Sequence, residues 1–186
     1  DEWRSTLARL REAAPLGDGP FENLLWESLV GAWPASRERL HAYAEKAARD
    51  AGTSTGWANP DEAFESRMQA LIDAAFDEPA VAELVGDIVA RIAAPGWSNS
   101  LAAKLIQLTA PGVPDVYQGS ELWEDSLVDP DNRRAVDFDL RRLQLLSIDR
   151  GALPPVDATG AAKLLVTTRA LRLRRDRPEL FTRYTA

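Results

Sequence analysis

The apolar residues of this chain recur every three or four positions, which predicts α-helices along most of its length. Leu25, Leu29 and Trp33 are an example, since they follow at i+4 steps on one face of a segment that ends before Pro34. No stretch sustains the alternation that is typical of strands. The predicted helices span 1–14, 21–33, 36–51, 59–75, 79–94, 98–110, 138–148 and 161–177.

Several helix ends are predicted from single residues. Ser36 and Gly52 are residue types expected at the start and just past the end of the third helix, respectively. Asn59, directly before a proline, is expected to cap the fourth helix. Pro95 and Gly96 are expected to break the helical pattern, because proline lacks the backbone donor that a helix interior needs.

The pattern changes after residue 110. Residues 113–119 form a short β-like segment, and a long polar loop over 120–135 follows it. Planar aromatic rings beside carboxylates and arginines are typical of carbohydrate sites, where rings stack on sugar faces and charged groups bind hydroxyls. The alternative is a surface loop held rigid by Asp–Arg pairs. The charged or polar residues concerned are Asp129, Asp131, Asn132, Arg133 and Arg134, and the aromatic ones are Tyr117, Trp123 and Phe138.

Composition excludes several classes of function. The chain has 22 Lys and Arg against 29 Asp and Glu, a net charge of −7, which argues against a nucleic-acid partner. It has no cysteine and one histidine, so thiol chemistry and multi-His metal sites are excluded, and we expect neither a metal nor a cofactor. No apolar run approaches the ~18 residues of a membrane span, so we expect no membrane partner. The first residues lack the order of a signal peptide, so we expect a cytoplasmic protein.

The polar region also carries a motif. Residues 112–121 read GVPDVYQGSE and resemble the eighth-strand segment of the α-amylase superfamily of glycoside hydrolases, and the DPDNRR run at 129–134 is similar to the loop after that strand. Further segments resemble the maltooligosyl trehalose synthase family in particular, and they lie at 25–34, 46–49, 57–62, 99–101 and 172–181. The resemblance therefore covers nearly the whole chain.

This resemblance implies a mainly α fold: a helical subdomain plus the last β/α unit of a (β/α)8 barrel, present as a fragment. The length of 186 residues agrees, because a complete barrel typically takes ~250. The implied domains are a helical insertion subdomain over 1–100, the eighth-strand segment with its active-site loop and following helix over 101–150, and a linker with a C-terminal helix over 151–186.

The resemblance further implies an intramolecular transglucosylase that converts the reducing-end α-1,4 linkage of maltodextrins into the α,α-1,1 linkage of trehalose. Retention of anomeric configuration needs a carboxylate nucleophile and an acid/base. The superfamily carries these groups on strands whose motifs are absent here, and His41 is not part of a His-Asp motif. We therefore expect the chain to begin after the seventh strand's site, to hold no catalytic residue and to be inactive in isolation.

The resemblance implies substrate-binding roles only. Asp129 and Arg133 match positions that face sugars in related amylases, and their spacing of four lets a turn bring them together. Glu121 is expected to be structural rather than catalytic. Asn59 has the alternative role of a helix cap, and Trp57 has the alternative role of a packing residue. The other candidates for maltooligosaccharide binding are Tyr117, Gln118, Trp123 and Trp57.

Two other functions stay open at this stage. One is a stand-alone helical interaction module, in which the Asp/Arg loop contacts a protein. The other is part of an ordinary α-amylase-type hydrolase. A fragment is expected to expose the apolar faces that pack against the remainder of the parent enzyme, and could dimerise through them, whereas a self-sufficient module would have polar surfaces.

Overall fold

The computed structural model describes residues 2–183, and all regular structure in that range is helical. The last three residues of the predicted segment 151–186 lie outside it. Short 3-10 helices occupy Asp131–Arg133 and Pro178–Phe181. The α-helices are α1 (Glu2–Ala13), α2 (Gly19–Ala32), α3 (Arg37–Ala51), α4 (Glu62–Asp77), α5 (Pro79–Thr109), α6 (Phe138–Asp149) and α7 (Ala161–Asp176).

Side-chain caps fix where the helices begin. Ser36 accepts from the backbone of Arg39 at the start of α3, and Gly52 ends that helix with φ +64°, so both predicted ends are confirmed. The predicted cap at Asn59 is wrong. Asp61 caps α4 instead, because its Oδ1 accepts from the backbone N of Phe64 at 2.9 Å.

The predicted break at Pro95 is also wrong, since α5 runs through it as one helix of 31 residues. Proline removes a single hydrogen bond from the helix interior. The many turns on both sides of Pro95 supply the remaining bonds, and a long helix tolerates one such loss.

The strand predicted over 113–119 is not formed within the described residues. A strand needs a neighbouring strand to satisfy its backbone groups, and the described chain offers no second one. Side chains take over part of that role, because Gln107 donates to the carbonyl of Asp115 and Arg174 donates to the carbonyl of Gly112.

The chain forms two compact units. Unit 1 comprises the chain up to Arg91 together with Asp125–Arg134. Its core is extensive, and Trp26, Leu29, Met68 and Ile72 at its centre are fully buried. Burying apolar surface of this kind is the dominant stabilising contribution to a fold.

Unit 2 comprises Ile92–Glu124 and the chain from Ala135 onward. Its buried apolar cluster is small and is built on Leu122, Ile148 and Leu164. These units differ from the three segments expected from the resemblance, which were defined by their place in a barrel, and that division stays a prediction. No helix in the described range combines the length and hydropathy that crossing a bilayer requires.

Candidate functional site

The Asp/Arg loop of unit 1 (Asp125–Arg134) brings Asp129 and Arg133 together, as their spacing predicts. Arg133 Nε lies 2.5 Å from Asp129 Oδ1, and the intervening 3-10 turn closes the distance between them. The Arg133 side chain is 71% exposed and the Asp129 side chain is 51% exposed. The pair therefore presents a donor and an acceptor to solvent side by side, which suits vicinal hydroxyls.

Asp131, at the middle of the same loop, points inward. Arg39 of α3 donates from Nε to Oδ1 and from Nη2 to Oδ2, both at 2.8 Å. The backbone N of Leu127 donates to Oδ2 at 2.7 Å. These contacts, the Arg39 hydrogen bonds foremost, lower the pKa of Asp131 to about 2 and keep it ionised.

No local pattern in the chain indicates this contact, because Arg39 lies 92 positions before Asp131. Its role emerges only when α3 and the loop pack together. Of the charged cluster seen in the sequence, Asp131 is thus a structural residue, whereas the Asp129–Arg133 pair is exposed to solvent.

A cleft of about 260 Å³ lies between α3 and the loop. Its walls include Tyr43 and Lys46 from α3, and Val128 and Asp129 from the loop. Pockets for drug-sized ligands typically span about 300–1,000 Å³, so this cleft has room for about one sugar ring beside Asp129.

Trp57 and Asn59 share the loop between α3 and α4, also in unit 1. Trp57 is 60% exposed, so most of its ring lies outside the core. Its indole N–H donates to Asp50 Oδ1 at 2.8 Å, and the Arg49 guanidinium lies 5.1 Å from the ring centroid. Asn59 is exposed beside it. An open hollow of about 790 Å³ borders both residues.

Tyr117 and Gln118 are exposed in unit 2, directly before a turn at Gly119 with φ +90°. Arg141 of α6 holds this turn, because it donates to the carbonyl of Gly119 at 3.0 Å and to Glu121 Oε1 at 2.8 Å. Glu121 is therefore engaged by an arginine, in agreement with the structural role expected for it.

Trp123 is engaged within unit 2 on two sides. Its indole N–H donates to the carbonyl of Asp157 at 2.7 Å, and its ring stacks on Trp97 at 6.0 Å between centroids with 7° between the planes. Lys163 Nζ lies 5.7 Å from its centroid. A sugar-binding role for Trp123 stays a prediction, but its indole N–H is already engaged by the carbonyl of Asp157.

No group of three or more His, Cys, Asp or Glu side chains among residues 2–183 is arranged to hold a metal ion. Unit 1 offers an exposed Asp–Arg pair and the Trp57 ring, and unit 2 offers the exposed Tyr117 ring. Chemically, these residues can bind and orient a polyhydroxyl ligand.

No protein-family model matches the chain. Among curated proteins, a Mycobacterium tuberculosis protein described as a maltooligosyl trehalose synthase is 45% identical over 96% of this chain and 23% of its own length. Among solved structures, the maltooligosyltrehalose synthase of Arthrobacter ramosus is 58% identical with a TM-score of 0.94. A Sulfolobus tokodaii protein described as a hypothetical maltooligosyl trehalose synthase is 29% identical with a TM-score of 0.83.

The match covers 98% of this chain and 24% of the Arthrobacter enzyme, so the chain spans about a quarter of the length of these relatives. The remaining three quarters have no counterpart in it. Over nearly its whole length, the chain is homologous to one portion of the maltooligosyl trehalose synthases.

Proposed function

We propose that the chain is the C-terminal portion of a maltooligosyl trehalose synthase and supplies substrate-binding and structural parts of that enzyme. The main support for this proposal is the 58% sequence identity to the Arthrobacter enzyme across 98% of the chain. The parent reaction moves a reducing-end glucose of a maltodextrin from an α-1,4 to an α,α-1,1 linkage. Its nucleophile and acid/base belong to the other three quarters, so the chain alone is inactive.

Residues 113–119 are proposed as the eighth strand of the parent barrel, with α6 as the helix that follows it. Val113 is 98% exposed and Val116 42% exposed, and such apolar side chains belong between the layers of a barrel. In that setting Tyr117 and Gln118 lie at the C-terminal end of a strand, which is the active-site face of such barrels.

The exposed apolar surface of unit 2 supports a fragment rather than a self-sufficient module. All but three of the exposed large hydrophobic side chains in the described range belong to unit 2. Three of these exposed side chains lie along one side of α6, namely Leu140, Leu143 and Leu146. An exposed apolar surface this broad marks an interaction site. Its proposed partner is the remainder of the parent enzyme, and the alternative partner is a second copy of this chain.

The Asp129–Arg133 pair is proposed to bind glucose units on the non-reducing side of the cleavage point. Its exposure, its position on an anchored loop and the adjoining ring-sized cleft support this role. Further proposed contacts to maltooligosaccharide are Trp57 and Asn59 in unit 1, and Tyr117, Gln118 and Trp123 in unit 2.

A chimera tests the proposed function. The matched quarter of the Arthrobacter enzyme is replaced by this chain, and maltopentaose is supplied as substrate. We expect a non-reducing product with a terminal trehalose unit from the chimera, and no conversion by the chain alone. Release of shorter reducing sugars as the main product would favour the ordinary hydrolase instead.

A titration tests the binding residues directly. The ¹⁵N-labelled chain is titrated with maltopentaose and followed by NMR, and we expect weak binding with shifts at residues 129–134. Asp129→Ala should abolish those shifts, whereas Asp139→Ala, which removes an exposed carboxylate from α6, should not. Shifts confined to other regions would exclude the loop, and a monomeric chain without any sugar response would favour the interaction module.

A further inference from the structure

Arg39 makes the contact that joins the Asp/Arg loop to α3. Its Nε and Nη2 each donate to one oxygen of Asp131 at 2.8 Å, and Nη2 also donates to the carbonyl of Asp125 at 3.2 Å. The side chains of Arg39 and Asp131 are only 19% and 12% exposed. Such a forked, shielded ion pair is geometrically specific in a way that a solvated surface pair is not.

The carboxylate of Asp131 also organises the loop itself. It accepts from the backbone of Leu127, while the backbone N of Asp131 donates to the carbonyl of Val128. Leu127 in turn packs against the core of unit 1. The loop is therefore fixed at its centre by one charged contact and at its start by an apolar one.

Asp131 lies midway between Asp129 and Arg133, two residues from each. Any displacement of Asp131 therefore moves both members of the exposed pair. Arg39 also borders the cleft beside the loop, but its Nε and Nη2 are bound to the Asp131 carboxylate. Its influence on a bound sugar is therefore expected to pass through Asp131.

We propose that Arg39 is a positioning residue for maltooligosaccharide binding, which it supports by holding the Asp129–Arg133 pair in its binding geometry through Asp131. The proposal rests on the proposed function of that pair. Without the anchor, the loop loses its preorganisation, and sugar binding must then order the backbone at the expense of affinity. Lysine replaces the planar fork with a single ammonium and restores the geometry only in part.

The chain offers a matched control on the same helix. Arg37 forms a more exposed forked ion pair with Asp77, at 2.6 and 2.7 Å, and also donates to Asp73, but both carboxylates belong to α4 rather than to the loop. Arg37→Ala therefore removes a similar interaction from α3 and leaves the Arg39–Asp131 contact in place.

The test compares maltopentaose titrations of the wild-type chain, Arg39→Ala, Arg39→Lys and Arg37→Ala, with amide hydrogen exchange measured for residues 127–134. We expect Arg39→Ala to weaken Kd at least about tenfold and to speed exchange in the loop. Arg39→Lys should fall between it and the wild type. Arg37→Ala should bind and exchange like the wild type, although it unfolds at a lower temperature.

Equal Kd values for Arg39→Ala and Arg37→Ala would overturn the proposal, and so would unchanged loop exchange in Arg39→Ala. If Arg39→Ala does not fold, Asp131→Asn, which keeps the shape of the side chain, decides by the same two measurements. A wild-type chain that shows no shifts at Asp129 and Arg133 would refute the proposed function. Loop exchange would still determine separately whether Arg39 orders the loop.

Discussion

Arg49 on α3 and Glu65 on α4 form a two-point ion pair, with Nε 2.8 Å from Oε1 and Nη2 2.7 Å from Oε2. Thr55 donates to the same carboxylate at 2.7 Å. The hydrogen bonds from Arg49, and next the one from Thr55, lower the pKa of Glu65 from 4.5 to about 2. This carboxylate joins two helices and the loop between them.

The Arg49–Glu65 pair predicts acid sensitivity. Because the pKa of Glu65 is lower in the folded than in the unfolded chain, its contribution to stability is complete above about pH 4.5 and is lost as the pH falls towards 2. Glu65→Gln should therefore reduce the fall in urea midpoint between about pH 5 and pH 3. Glu27→Gln on α2 serves as a charge-matched control, and equal pH slopes for both variants would contradict the prediction.

Replacing Gly160 by alanine should cause a steric clash at the start of α7. It adopts φ +71°, and a Cβ there would lie 2.8 Å from the backbone N of Trp123. Gly151 adopts φ +97° with open space around it. Alanine at either position suffers from the left-handed backbone, at about 1–2 kcal/mol, but Gly160→Ala should lose about 1–3 kcal/mol more from the clash. Urea unfolding of unit 2 measures the difference, and equal losses would argue against the contact with Trp123.

Replacing each of two buried lysines of unit 2 by methionine should change the stability of the chain in opposite directions. Burial lowers the pKa of both Lys163 and Lys104, which are 7% and 6% exposed. Lys104 donates to Gln107 and Ser120, so Lys104→Met should cost about 1–3 kcal/mol. Lys163 contacts the Trp123 ring at 5.7 Å, near the limit of about 6 Å, so that contribution is about 0.5 kcal/mol.

For Lys163, the burial of charge therefore outweighs the ring contact, and Lys163→Met should stabilise the chain at pH 7 by about 1 kcal/mol. A pKa below 10.5 in the folded state means that the penalty is complete at neutral pH and disappears as the pH rises past 10.5. The gain should thus shrink in urea titrations at higher pH. A loss of stability at pH 7 would show that the ammonium has a stabilising partner.

Replacing Trp57 and replacing Trp123 by alanine should lower the stability of the chain by different amounts. Trp57 is 60% exposed, so Trp57→Ala should cost about 1 kcal/mol or less. Trp123 stacks on Trp97 and donates to Asp157, so Trp123→Ala should cost about 3 kcal/mol. Thermal unfolding followed by circular dichroism measures both. A large loss for Trp57→Ala would assign that residue to packing after all.

Sequence periodicity was sufficient to predict the helices, because their apolar faces arise from local spacing. It failed at Pro95, where a local helix-breaking signal is outweighed by the hydrogen bonds of a long helix. It also failed at Asn59, since Asp61 two residues later offers an equally good cap and its own backbone N donates to Thr55.

The site could be predicted only in part for a similar reason. The Asp129–Arg133 pair follows from a spacing of four residues, which a turn converts into contact. The Arg39–Asp131 anchor joins residues 92 positions apart, and no local pattern encodes it. The strand predicted over 113–119 depends on neighbouring strands, and residues 2–183 contain none.

Unit 1 is discontinuous, and this affects the order in which the chain acquires its parts. Its buried core uses only residues up to Ile88, whereas the Asp/Arg loop comes from Asp125–Arg134. During synthesis the core can form before the loop has left the ribosome, since domains fold as their sequence emerges. A truncation after Arg91 should thus keep a helical core but lose the Asp/Arg loop and its proposed sugar contacts. The Asp/Arg loop is the last part that unit 1 gains.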